Sequence, residues 1–143
     1  DRDGKTSGTM TTGGLVVLLT ARDMLGPTKR KKSRAKLDER IDRAVLDGLA
    51  WLDKNWDVND NPPAVGFYHY MHLWGLERVG DLRRIRLIGE HDWYREGADV
   101  LLEQQFENGR WERADTHGPK DVLNTCFALL FLDRATLTAT TGR

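Results

Sequence analysis

Residues 37–55 read LDERIDRAVLDGLAWLDKN, and their spacing decides the fold class. Leu37, Ile41, Ala44, Val45, Gly48, Leu49 and Leu52 step by three and four, so they fall on one side of an α-helix. Asp38, Arg40, Asp42, Asp47 and Lys54 lie largely off that stripe. Such a helix keeps one side in water and needs a neighbour to cover the other. The next apolar segment, about Ala64 to Val79, is of another kind. Phe67, Tyr68, Tyr70, Met71, Leu73, Trp74 and Leu76 surround it, which predicts burial on most sides. Asn59-Asp60-Asn61-Pro62-Pro63 separates the two helices, because proline lacks the amide that a helix interior needs. Gly80 is read as the end of the second.

The same pattern continues in both directions. Upstream, Thr9 to Leu25 is a predicted helix, with Leu15, Leu18, Leu19 and Met24 near helical spacing and Gly26-Pro27 as its stop. Downstream, Arg83 to Glu90 reads as a connector. Asp92 then caps a helix from about Trp93 to Phe106. Glu107-Asn108-Gly109 is a turn signal, and residues 112–118 are a polar loop. A last helix, about Lys120 to Arg134, is nearly all apolar from Cys126 to Leu132. No segment alternates with period two, so no strand is predicted. Val16-Val17 is β-branched but sits inside a helical pattern. Residues 1–8 read as a flexible loop and 136–143 as a frayed tail.

The chain repeats itself. Trp51-Leu52-Asp53-Lys54-Asn55-Trp56 parallels Leu101-Leu102-Glu103-Gln104-Gln105-Phe106, and Leu73-Trp74-Gly75-Leu76-Glu77-Arg78 parallels Leu129-Leu130-Phe131-Leu132-Asp133-Arg134. Each unit is a one-sided helix, a loop and a more thoroughly apolar helix. One-sided helices suit an outer layer and the others an inner layer, and neither buries its face alone, so the hairpins must stack. The expected organisation is an all-α repeat segment over 9–135: an inner helix 9–25, a hairpin 37–79 and a hairpin 93–134.

Composition narrows the function classes. Twenty-two Lys and Arg balance 22 Asp and Glu, so nothing global draws the chain to nucleic acid. The basic residues do cluster at Lys29, Arg30, Lys31, Lys32, Arg34 and Lys36. A solvated connector is the simpler reading and a patch for phosphate or lipid headgroups the other. Cys126 is the only cysteine, which excludes an internal disulfide and a multi-cysteine metal site. It is read as a small core residue. The apolar run Leu15 to Leu19 is far shorter than the ~18 residues of a membrane span. The chain opens at Asp1 without Met, as a mature, trimmed or excised chain does, and its compartment is open.

Trp93-Tyr94-Arg95-Glu96-Gly97-Ala98, Leu101-Leu102-Glu103-Gln104-Gln105 and Asn108-Gly109-Arg110-Trp111 together resemble the repeat of squalene cyclases and protein prenyltransferases. In that family an outer helix ends in Gln, an Asx-Gly-x-Trp turn follows, and Thr-Cys or Thr-Ala opens an inner helix. Asn124-Thr125-Cys126-Phe127-Ala128-Leu129-Leu130 is similar to such an inner helix, and Thr9-Met10-Thr11-Thr12-Gly13-Gly14-Leu15 is similar to an earlier one. The first repeat departs from the pattern, since Asp57-Val58-Asn59 stands where the Gly-x-Trp turn belongs. The closest likeness is to uncharacterised bacterial repeat proteins of the class. The resemblance implies an α/α toroid, of which five helices form only an arc. A closed ring of the family has about six hairpins, so the remainder would come from a longer parent chain or from self-association.

The resemblance also fixes where chemistry would sit. The starts of inner helices face the central cavity of such toroids, which makes Tyr68, His69, His72, Asp121, Asn124 and Thr125 the candidate lining. Gln104, Gln105, Gly109 and Trp111 form the structural turn: glycine supplies a positive φ, and the indole packs while its N–H finds a partner. The family's catalytic strings are missing. No Asp-x-Asp-Asp acid occurs, no Asp-x-Cys pair occurs, and Asn124 stands where prenyltransferases carry the zinc-binding His. An amide is a poor zinc ligand, so no metal and no cofactor is expected. The thioester string of complement-type toroids is missing too.

His69 and His72 share a helix face, as a metal pair would, yet no third ligand is near them and core or cavity histidines are the simpler reading. His91-Asp92 reads as a helix cap beside a histidine before it reads as an acid/base pair. The expected function is a non-catalytic or uncharacterised binding module that takes an apolar lipid or a peptide in its concave face. Two alternatives stand beside it. One is a terpenoid cyclase whose acid lies outside this segment. The other is a carbohydrate-active toroid using Trp111, Asp115, His117 and Asp121.

Overall fold

The computed structural model describes residues 6–26, 32–63, 68–112 and 120–133. Among them the chain is all-α, with helices α1 (Gly8–Leu25), α2 (Lys32–Lys54), α3 (His69–Arg83), α4 (Trp93–Gln104) and α5 (Lys120–Leu132). The helix ends follow local chemistry. Ser7 caps α1, its hydroxyl accepting from the Met10 amide at 3.4 Å, and Gly26 leaves it at φ 57°. Asp92 caps α4, accepting from the Arg95 amide at 3.3 Å.

Helix α3 lies at the centre and packs against α1, α5 and α4. Tyr70, Leu73, Leu76 and Val79 are each at most 2% exposed, in keeping with a helix apolar on most sides. Its approach to α1 is close. A Cβ at Gly75 would stand 2.3 Å from the Thr12 hydroxyl, so only glycine lets the two backbones come this near. Helix α2 covers α1 with Ile41, Val45 and Leu52 of the expected stripe buried and Gly48 and Leu49 half-buried, whereas Leu37 and Ala44 of that stripe are exposed. Helix α4 packs on α3 and α5 through Trp93, which lies against Gly80 and Phe131, and buries Leu101 as well. The two one-sided helices are joined to each other, because the Trp56 indole after α2 donates to Glu96 of α4 at 2.8 Å. Helices α1, α3 and α5 therefore form a row, with α2 and α4 behind it.

Four expectations are corrected. The connector before α4 contains a short antiparallel hairpin, β1 (Leu87–Ile88) and β2 (His91–Asp92), with Ile88 opposite His91 and Gly89 turning at φ 60°. Two-residue strands are too short to show an alternating pattern. Helix α3 starts at His69 and runs past Gly80 to Arg83, closing on Arg84 in the left-handed region at φ 52°. Gly80 is not a stop. Its missing side chain makes room for Trp93.

The other two corrections concern burial. Among the described side chains of α5 only Asn124, Ala128 and Phe131 are buried, whereas Val122, Leu123, Leu129 and Leu130 are exposed and so is Cys126. Among the described residues that helix packs against α3 and α4, and an apolar pattern buries only the sides that a neighbour faces. Met24 of α1 is exposed as well. Of the basic cluster, Lys29, Arg30 and Lys31 lie outside the described residues, whereas Lys32, Arg34 and Lys36 belong to α2, where Arg34 pairs with Asp38 at 2.9 Å; the predicted tail 136–143 lies outside them.

Candidate functional site

The first turn of α3 gathers three of the predicted lining residues. Tyr68 stands at the helix N-cap in the left-handed region and is exposed. His69 and His72 are each 1% exposed, so they belong to the core. The His69 Nε2 lies 2.7 Å from the Val58 carbonyl and donates to it. The His72 ring sits under the start of α1, where a Cβ at Gly8 would fall 2.6 Å from its Nδ1. Asn61 completes the tie, accepting from the Thr9 amide at 2.8 Å, while the Gly8 amide donates to the Pro62 carbonyl. The two imidazoles thus fasten the loop after α2 and the head of α1 onto α3. Among the described residues no three His, Cys, Asp or Glu side chains are placed to hold a metal ion.

Burial, and then the neighbouring His69, push the His72 pKa from 6.5 down to about 4, against the pull of the Asp57 and Gly8 backbone and the Asp57 charge. Between those two pH values the unfolded chain carries a proton that the folded chain refuses, so stability rises with pH across that window. The contribution is complete above pH 6.5 and is lost as the pH falls toward 4, on the order of 3 kcal/mol in all. The urea midpoint should therefore drop between pH 7 and pH 4.5 by more in the parent than in His72→Gln. Equal drops would remove His72 from the account.

The other predicted positions lie at the start of α5 and at the end of α4. Asn124 is buried at 8% exposure. The half-buried Thr125 accepts the Trp111 amide at 3.2 Å. Tyr70 of α3 reaches toward the same place, donating to the Gln104 side chain at 3.3 Å. The Asp121 side chain, Asp115 and His117 lie outside the described residues. Three open clefts of the structure are lined by none of Tyr68, His69, His72, Asn124 and Thr125.

The turn residues act together. Gly109 adopts φ 80°, and its carbonyl accepts from the Gln105 amide side chain at 3.1 Å. The Trp111 ring is 1% exposed, and its Nε1 donates to the Leu101 carbonyl at 2.8 Å. With ring and donor both engaged, that indole offers no stacking platform to a sugar, and the carbohydrate reading loses its aromatic.

Two features escaped the sequence reading. Next to the hairpin, Trp56 stacks on His91 with ring centres 4.5 Å apart, and the His91 Nδ1 lies 3.5 Å from Glu96. The carboxylate facing His91 is therefore Glu96. Asp92 is occupied by capping α4 and by Arg86. The second feature is the open side of the row. Met71, Trp74 and Arg78 share the side of α3 opposite Leu73, Leu76 and Gly80, and all three are at least partly exposed. The Trp74 ring meets Phe127 of α5 at 5.4 Å, with Leu123 and Leu130 exposed a turn away on either side. The period of α3 placed these residues on one face, but only the positions of its neighbours show which face stays uncovered among the described residues. No family model, curated protein or solved structure matches this chain.

Proposed function

We propose that this chain is a non-catalytic binding segment of an α/α-toroid-like helical array, which holds an apolar lipid or a peptide against the open face of the α1–α3–α5 row. The observation that carries this reading is the Trp74–Phe127 pair, flanked by Met71, Leu123 and Leu130 on a face that, among the described residues, no other helix covers. Clustered apolar side chains with one cation, Arg78, suit an amphiphile whose chain leaves water while its head stays wet. The row of α1, α3 and α5 backed by α2 and α4 supports the toroid-like part of the proposal. Self-association or a longer parent chain would extend the row at its flanks, where Val17 of α1 and Leu129 of α5 are exposed.

Dodecanol titration read by tryptophan fluorescence tests the site. A saturable change is expected in the parent, weakened by about tenfold or more in Phe127→Ala and in Met71→Ser, consistent with one well-buried apolar contact each. Circular dichroism checks that both variants fold. A response that survives both substitutions unchanged places the apolar ligand elsewhere and ends the proposal.

A further inference from the structure

We propose that the cleft between the end of α3 and the start of α4 binds a phosphate group, carried by a small phosphate compound or by a lipid headgroup. The cleft measures about 520 Å³ and is rimmed by Arg84, Arg86 and Arg95 over a floor of Ile85, Trp93 and Tyr94. Among the described residues Asp92 is the only acidic side chain in its lining, and both of its oxygens are engaged. One accepts from the Arg95 amide at 3.3 Å and the other from the Arg86 guanidinium at 3.0 Å. Among the described residues Arg84 and Arg95 enter no ion pair. The cleft therefore keeps about two unbalanced positive charges in a chain whose net charge is zero.

Three guanidiniums around an apolar floor are a fitting arrangement for phosphate. The planar donors match its oxygens, and the low-dielectric wall strengthens the field above it. The neighbouring cleft beyond Arg84 carries Asp23, Asp38 and Asp81 beside its arginines. Its charges nearly cancel, which puts the anion on the Arg95 side. This site is independent of the apolar face, so either proposal can fail alone.

The test uses the whole chain and two probes. Calorimetric titration with pyrophosphate examines the free compound, and co-flotation with phosphatidylglycerol vesicles against phosphatidylcholine vesicles examines the headgroup. At least one probe should bind, and Arg84→Gln and Arg95→Gln should each weaken it by about tenfold or more. Arg43→Gln makes the same charge change on the exposed side of α2 and should leave binding intact. Pyrophosphate binding identifies a small phosphate compound as a sufficient ligand, and flotation alone identifies the headgroup. If neither probe binds, or if Arg43→Gln weakens binding as much as the cleft variants do, the proposal is overturned.

Discussion

Trp111→Ala should cost this fold about 3–5 kcal/mol, the range for removing a buried tryptophan. The ring is 1% exposed, so its loss leaves a void between the end of α4 and the loop that leads to α5. A second contribution comes from the indole N–H. Leu101 lies in the last turn of α4, where carbonyls have no amide partner within the helix, and the Trp111 Nε1 supplies one at 2.8 Å. Trp111→Phe separates the two contributions. It keeps most of the ring but abandons the carbonyl, at a cost of about 1–3 kcal/mol. Thermal unfolding should register the alanine variant as a loss of roughly 10–20 °C and the phenylalanine variant as a smaller one. A melting temperature for Trp111→Ala within a few degrees of the parent would mean that this turn contributes little.

Trp93 occupies the corresponding place at the other end of α4, and its removal should be comparably expensive. It is 1% exposed, its Nε1 donates to the Ile85 carbonyl at 2.9 Å, and it meets the Phe131 ring edge-on at 6.2 Å. Trp93→Ala should therefore cost about 3–5 kcal/mol. The pocket that receives it depends on a missing side chain, since a Cβ at Gly80 would lie 2.3 Å from the ring. Gly80→Val should itself cost about 1–3 kcal/mol or more through overpacking. The double variant gives the sharper test. Valine at 80 fills part of the void left by alanine at 93, so the pair should be less damaging than the sum of the singles by about 0.5–3 kcal/mol. Strict additivity in denaturant titrations would show that the two positions do not share a pocket.

How far the sequence speaks depends on whether a feature is local. The stripe of α2, the Asp92 cap, the Gly26 exit and the positive φ of Gly109 all arise within a few residues, and spacing or residue type reveals them. Gly80 misled because a glycine near an apolar helix end suggests termination, while its actual use is steric and involves a side chain 13 residues away. The burial of α5 misled for a related reason. A pattern records which side chains prefer to leave water, but burial also needs a surface to leave it against, and among the described residues one flank of α5 has none. His69 and His72 were visible as a same-face pair. What covers them, Val58, Asn61 and Gly8, comes from two other segments, and that decides between a lined cavity and a closed core. The arginine-rimmed cleft joins residues 84–86 to Arg95 across the hairpin, and that hairpin is too short to leave a signature.

The central position of α3 has a further meaning for how the chain breathes. Helices α1 and α5 rest on different sides of it, so each can detach while α3 stays protected by the remaining partners. Amide exchange should then form a gradient, slowest along Leu73 to Val79 and faster outward to both flanks, with α5, which among the described residues packs only against α3 and α4, the first to let solvent in.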